Sequence, residues 1–213
     1  MTTIAELIIA DHPEAWQAVG FAVGDDGVCQ LGTVRVRLDP SSGTGVVAWV
    51  LAGAPDESVT DVDGLPTSHG DPSPPATASH HPLGVRSIDH VVVLTPDLDR
   101  TVQAVERSLG LPLKRVRDGE SYSRPVRQAF FRMGEVVLEV VGPPEPDERG
   151  GTAAFFGLAL TLESLEVAAA LLGPQRAGAP KPAVQPGRHI TTIRSAAGLR
   201  VPVALMDPDP ARP

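Results

Sequence analysis

Two ionisable residues interrupt otherwise apolar runs of this chain: His90 in IDHVVVL and Glu139 in VVLEVVG. Both runs are rich in β-branched residues and read as strands. A carboxylate in the middle of an apolar strand is costly to bury unless it is paired or metal-bound. Two uses of the pair stand open. His90 and Glu139 can hydrogen-bond each other. As an imidazole and a carboxylate they are also ordinary ligands of Zn²⁺, Mn²⁺, Ni²⁺ or Fe²⁺. Beside such an ion, Glu139 is the candidate catalytic group, because a carboxylate there can move a proton. A catalytic ion usually needs three protein ligands. His189 is the candidate third. If the last hairpin turns through residues 195–198, Thr191 pairs with Pro202 and His189 with Ala204, on the same face as Pro202. A slip of one residue reverses that face and leaves His189 at the surface beside Arg188. His80-His81 form a softer metal candidate, in a polar stretch whose plainer reading is a solvated loop.

The elements that must position these residues start from IDHVVVLTPDLDRTVQAVERSLG, residues 88–110. The strand stops at Thr95-Pro96-Asp97, since Pro96 cannot donate to a ladder and Asp97 can cap a helix. Leu98, Val102, Val105 and Leu109 then recur at helical spacing, and Gly110 ends the helix. Strand alternation puts His90, Val92 and Leu94 on one face. Val91 and Val93 meet the helix, so His90 points into the sheet's concavity. In VRQAFFRM, Arg127, Ala129, Phe131 and Met133 share one face, and Gln128, Phe130 and Arg132 the other. Either set gives a small organic ligand an apolar wall and a polar group. Tyr122 lies in GESYSRP, read either as a lid over the cavity mouth or as an exposed loop.

Strands are expected at Leu113–Arg117, Val126–Met133 and Val136–Val141, completing the order β-α-β-β-β. The order then begins again. Phe155–Thr161 is a strand and Leu165–Leu172 a helix stopped by Gly173-Pro174. A short strand follows, then a hairpin of His189–Arg194 and Leu199–Met206. Setting HVVVLTPDL beside GLALTLESL aligns strand with strand, an internal duplication. The predicted class is α+β, with tandem βαβββ modules.

On IDHVVVLTPDLDRTVQAVERSLG, QAFFRMGEVVLEVVGP, FFGLALTLESLE and AAGLRVPVALMDP, the chain resembles the glyoxalase-like members of the vicinal oxygen chelate superfamily, over about residues 86–208. The resemblance implies that paired modules form a cupped, incomplete barrel holding a divalent metal and a substrate. It also implies metal ligands on the first and last strand of each module. Those positions match His90 and Glu139 in the first module, and Gly157 and Pro202 (or Val203) in the second. Half of the set therefore carries no ligand side chain.

Residues 1–53 read as a small α/β piece, with strands at Ile4–Ala10, Val28–Leu38 and Val46–Leu51. A short helix is expected over His12–Gly20, capped by Asp11. In VRVRL, Val34, Val36 and Leu38 should face a core, anchored by Trp16 and Trp49, and Arg35 and Arg37 water. This piece also resembles a shortened βαβββ module, which would pack against the C-terminal pair or across a homodimer. Residues 54–84, rich in Pro, Ser and Asp, read as a linker. The glyoxalase-like unit then spans 85–208, with modules 85–144 and 153–208 and a tail at 209–213.

The chain has 213 residues, 42% of them hydrophobic, and a net charge of -8. That charge, without a basic cluster, argues against nucleic-acid binding. One cysteine, Cys29, excludes an intramolecular disulfide framework. There is no Asn and hence no glycosylation sequon. The absence of a signal-peptide pattern and of a long apolar run predicts a cytoplasmic protein without a membrane partner. Two functions are expected from the cavity. One is a divalent-metal-dependent lyase, isomerase or dioxygenase with a degenerate, weakly held or absent metal. The other is a metal-free, drug-sequestering binding protein. A third reading is an interaction protein in which the N-terminal piece matters most.

Overall fold

The computed structural model describes residues 1–71, 80–121 and 124–209. The N-terminal sheet contains β1 (Thr3–Ala10), β2 (Val28–Leu31), β3 (Val34–Leu38), β4 (Gly45–Ala52), β5 (Asp61–Val62) and β6 (Leu65–His69), in the order β2-β3-β1-β4-β6-β5. Its helix, α1 (Pro13–Val19), starts with a proline in the first turn, where no N–H is needed, and ends at Gly20 with φ 103°. The expected cap, Asp11, does other work. His12 is the N-cap, and the Asp11 carboxylate accepts from Trp16 Nε1 at 3.1 Å and Arg200 N at 2.9 Å. Trp16 and Trp49 are fully buried, and Trp49 Nε1 donates to Thr67 Oγ1 at 2.7 Å.

The stretch expected as a linker carries β5 and β6, with β6 parallel to β4. Too few apolar residues mark these strands in the sequence: Val62, Leu65 and Thr67 are buried, while Pro66 and Ser68 are exposed. His81 is not a solvated loop residue either. Its Nδ1 accepts from Ala22 N at 3.0 Å and its Nε2 donates to Gln30 O at 2.8 Å. Burial holds its pKa below the ordinary imidazole value, against the opposing pull of the Gln30 carbonyl.

The second sheet is eight-stranded. Its first half is β7 (Val85–Leu94), α2 (Leu98–Leu109), β8 (Arg115–Ser121), β9 (Arg124–Met133) and β10 (Val136–Gly142). Its second half is β11 (Ala154–Leu162), α3 (Leu165–Arg176), β12 (Lys181–Pro182), β13 (His189–Thr192) and β14 (Val203–Met206). The order is β12-β13-β14-β11-β7-β10-β9-β8. In each half the first strand runs parallel to the last, and β7 joins β11 antiparallel. These are two βαβββ modules set edge to edge, curled into a half-barrel.

Asp97 caps α2 by accepting from Arg100 N at 3.0 Å, and Gly110 ends it with φ 63°. Ser164 caps α3, which kinks at Gly173 and resumes to Arg176 instead of stopping. The two sheets pack through β4 and β11. The Trp49 and Phe155 rings meet edge to face, centroids 5.1 Å apart. Asp63 O accepts from Ala153 N at 2.8 Å, and Arg100 Nε donates to Asp63 Oδ1 at 2.7 Å. The N-terminal sheet is thus built onto the C-terminal one.

Candidate functional site

A break in the ladder shapes the site. Along β7, His90 pairs with Ala159 and Ile88 with Leu160, so Asp89 is an extra residue. Such a bulge kinks the strand locally and re-aims its side chains. Strict alternation would point Asp89 and His90 to opposite faces. Instead His90 Nδ1 and Asp89 Oδ1 are 3.0 Å apart. The other oxygen, Asp89 Oδ2, accepts from Arg188 Nη2 at 2.8 Å and Thr161 Oγ1 at 3.3 Å. Burial alone would raise the Asp89 pKa; the hydrogen bonds and charges of His90 and Arg188 outweigh it and bring the carboxyl down to about 2. Arg188 is itself buried and also donates to Asp207 O at 2.9 Å. Asp89 and Arg188 therefore tie the first module to the second.

Glu139 reaches His90 diagonally, because in the parallel pairing of β10 and β7 Val137 lies beside His90 and Glu139 beside Val92. Glu139 Oε2 stands 3.3 Å from His90 Nε2. Its other oxygen accepts from Gln128 Nε2 at 2.5 Å, and Gln128 Oε1 accepts from Arg117 Nε at 3.0 Å. The guanidinium carbons of Arg115 and Arg117 lie 4.8 and 5.8 Å from the Phe130 ring centre. A chain of polar contacts runs from Arg188 through Asp89, His90, Glu139 and Gln128 to Arg117. Around it Val92, Phe130, Val137 and Val141 are half-buried, and Leu94 and Phe156 are 43% and 42% exposed.

The opposite wall is bare of donors. Leu158 pairs with Val203, which sets Gly157 beside Pro202. A Cβ on Gly157 would stand 2.3 Å from Pro202 O and 3.0 Å from Pro202 Cβ. Pro202 O is already accepting from Leu158 N at 3.0 Å. No side-chain ligand fits at Gly157, and Pro202 offers none.

His189 lies elsewhere. The final connection is longer than a tight turn: it holds a 3-10 turn at Ser195–Ala197, and Thr191 pairs with Leu205, not Pro202. His189 is exposed, and its Nδ1 is 3.1 Å from Asp207 Oδ2. It does not join His90 and Glu139. The donor set facing the cup is then His90 Nε2 and Glu139 Oε2, one short of the usual minimum for a catalytic ion. Among the described residues no group of three His, Cys, Asp or Glu side chains is placed to hold a metal. The described residues do not make up a divalent-metal site. Tyr122 lies outside the described residues.

Alternation does not show Asp89, because it sits at a bulge, nor Arg188, because it lies in the connection just before β13. The adjacent acid and imidazole of IDH was the only available signal.

The sequence profile of the Glyoxalase/Bleomycin resistance protein/Dioxygenase superfamily matches residues 87–209, more than half of the chain. The chain belongs to this superfamily. The chain is similar in fold to methylmalonyl-CoA epimerase from Mycobacterium tuberculosis, at 20% identity over 64% of this chain and 93% of that one, with a TM-score of 0.48. A Streptomyces coelicolor methylmalonyl-CoA epimerase variant, in complex with 2-nitronate-propionyl-CoA, gives 19% identity over 59% and 96% of the two chains, with a TM-score of 0.47. No curated protein matches the chain. Among the described residues no helix is long and apolar enough to cross a membrane.

Proposed function

We propose that this glyoxalase-superfamily protein binds a small organic molecule in the cup of its C-terminal sheet without a metal ion. The observation that carries this reading is the closed wall at Gly157 and Pro202, where a side chain has no room. The half-open apolar surface of Val92, Phe130, Leu94 and Phe156 suits an organic body. The polar chain ending in Gln128 and Arg117 supplies the few directional contacts such a site needs. The test is a thermal-shift screen of small organic ligands run with and without chelator. Ligand-dependent stabilisation that survives the chelator supports the reading. Stabilisation that depends on added Mn²⁺, Ni²⁺ or Zn²⁺ overturns it.

The metal-dependent lyase or isomerase is the second reading, and one feature favours it. A histidine that gives Nδ1–H to a carboxylate presents Nε2 outward, as metal-ligating histidines do. Here Asp89 takes that role, and Glu139 stands next to Nε2. A substrate with vicinal oxygens would have to complete the coordination, and Glu139 would carry the proton. Elemental analysis of protein prepared without chelator separates the two. Well under one equivalent of divalent metal fits the first reading, and one tightly held ion per chain the second.

A further inference from the structure

The N-terminal sheet repeats two of the three irregularities in the β7–β11 pairing of the C-terminal one, at corresponding positions. In β1, Ile4 pairs with Leu51 and Glu6 with Val50, so Ala5 is an extra residue, as Asp89 is between Ile88 and His90. Further along, Ile8 pairs with Ala48 and Ile9 with Val46, leaving Val47 extra, as Phe156 is left between Phe155 and Gly157. β1 runs parallel to β3 as β7 does to β10, and β4 parallel to β6 as β11 does to β14. Trp49 pairs with Thr67 as Leu158 does with Val203, which puts Pro66 where the other sheet has Pro202. On this correspondence Glu6 stands at the place of His90 and Arg37 at that of Glu139.

The diagonal contact is kept and its chemistry replaced. Arg37 Nε and Nη2 donate to Glu6 Oε1 and Oε2 at 2.8 and 3.2 Å. Arg35 Nε lies 3.1 Å from Glu6 Oε2 but is buried without a hydrogen-bond partner. Glu6 is 5% exposed, while the Arg35 and Arg37 side chains are 38% and 45% exposed. Two guanidinium groups thus face one buried carboxylate, and the Asp26 carboxylate also acts on Arg37 from nearby. The residues in register with this group are Ser68, Val50 and Gln30 in one row, and Ala48, Ile8 and Val28 in the next. The apolar ones, Val28, Ile8, Ala48 and Val50, are half-buried, not sealed. The Trp49–Phe155 contact lies on the other face of each sheet, so this surface points away from it.

We propose that residues 3–69 form a second, degenerate pair of superfamily modules whose cup is a second small-molecule site, taking a carboxylate on a compact apolar body. The carboxylate meets Arg35 and Arg37, which present planar, always-charged donors suited to it. The apolar part lies along Ile8, Ala48 and Val50. This site does not depend on whether the C-terminal cup binds anything.

The test is an amide ¹H–¹⁵N NMR titration of the full chain with benzoate and octanoate, and with neutral benzamide as control. Benzoate or octanoate should shift the amides of Ile8, Arg35, Arg37, Ala48 and Val50, saturably, by roughly 10 mM, where a millimolar Kd is filled. Benzamide should not. Arg35→Gln, at a half-exposed position, should weaken binding about tenfold, the usual loss for a hydrogen bond to a charged group. Val50→Trp should fill the cup and remove the response while leaving the Glu6–Arg37 pair in place. The Val92 and Phe130 amides report the C-terminal cup separately. No shift on the N-terminal face at that concentration, equal shifts with benzamide, or undiminished binding in a folded Arg35→Gln variant overturns the proposal.

Discussion

Asp89 and His90 are neighbours in the chain, yet a bulge brings the Asp89 carboxylate to 3.0 Å from the His90 ring. The imidazole is therefore oriented from behind by its own neighbour and faced in front by Glu139. The carboxylate behind it is in turn fixed by Arg188 from the other module.

The depressed Asp89 pKa carries a direct consequence for acid stability. The folded value is about 2 against an ordinary 3.8. A depressed carboxylate stabilises the fold fully above its unfolded pKa, and the contribution is lost as pH falls through the folded value. The shift corresponds to roughly 2 kcal/mol. Asp89→Asn should therefore flatten the stability curve between pH 3.8 and about 2. Urea unfolding of both proteins across that window checks it, and parallel curves would contradict it.

Removing Arg188 alone should be among the most damaging single changes. Arg188→Ala would leave Asp89 7% exposed with one cationic partner gone, and breaking a buried pair costs about 3–5 kcal/mol. The double variant Asp89→Asn, Arg188→Met removes the charge as well as its partner. It should recover a large part of the loss, as measured by denaturant midpoints.

A ligand cannot be restored at Gly157 by substitution. With Pro202 O where a Cβ would go, Gly157→His should lower stability by overpacking, by about 1–3 kcal/mol or more. It should also gain no metal. Differential scanning fluorimetry and elemental analysis of the purified variant read the two outcomes.

Cys29 is fully buried, and burial pushes its thiol pKa up to about 12. A thiol with so little thiolate is a poor nucleophile. Native protein should resist iodoacetamide and a disulfide reagent at neutral pH, and react once unfolded. Rapid labelling of the native chain would show that the N-terminal sheet opens readily.

The duplicated βαβββ order and the His90–Glu139 pair were legible because long apolar strands and a capped amphipathic helix state them locally. Three features were not. The Asp89 bulge breaks the period of two on which face assignment rests. A tight turn at residues 195–198 would bring His189 to the cup, whereas the chain from Ile193 to Pro202 spends residues on a 3-10 turn and re-registers β13 against β14. The strands β5 and β6 hide in a Pro- and Asp-rich segment because the order there comes from β6 pairing with β4 and β5 with β6, not from local propensity.

The strands at the margins of the two sheets also decide how the molecule meets its own copies. A row of unpaired N–H and C=O groups is a template for a neighbouring chain. Here β5 and β12 are two residues each, β12 ends in a proline, and β2 has four residues. The remaining margin, β8, carries four charged residues in seven, Arg115, Arg117, Asp118 and Glu120. Each offers a docking strand too little length, no donor, or a charge to desolvate. Fibrous stacking through sheet margins is thereby disfavoured, and the apolar β7, which carries His90, and β11 stay enclosed between paired neighbours.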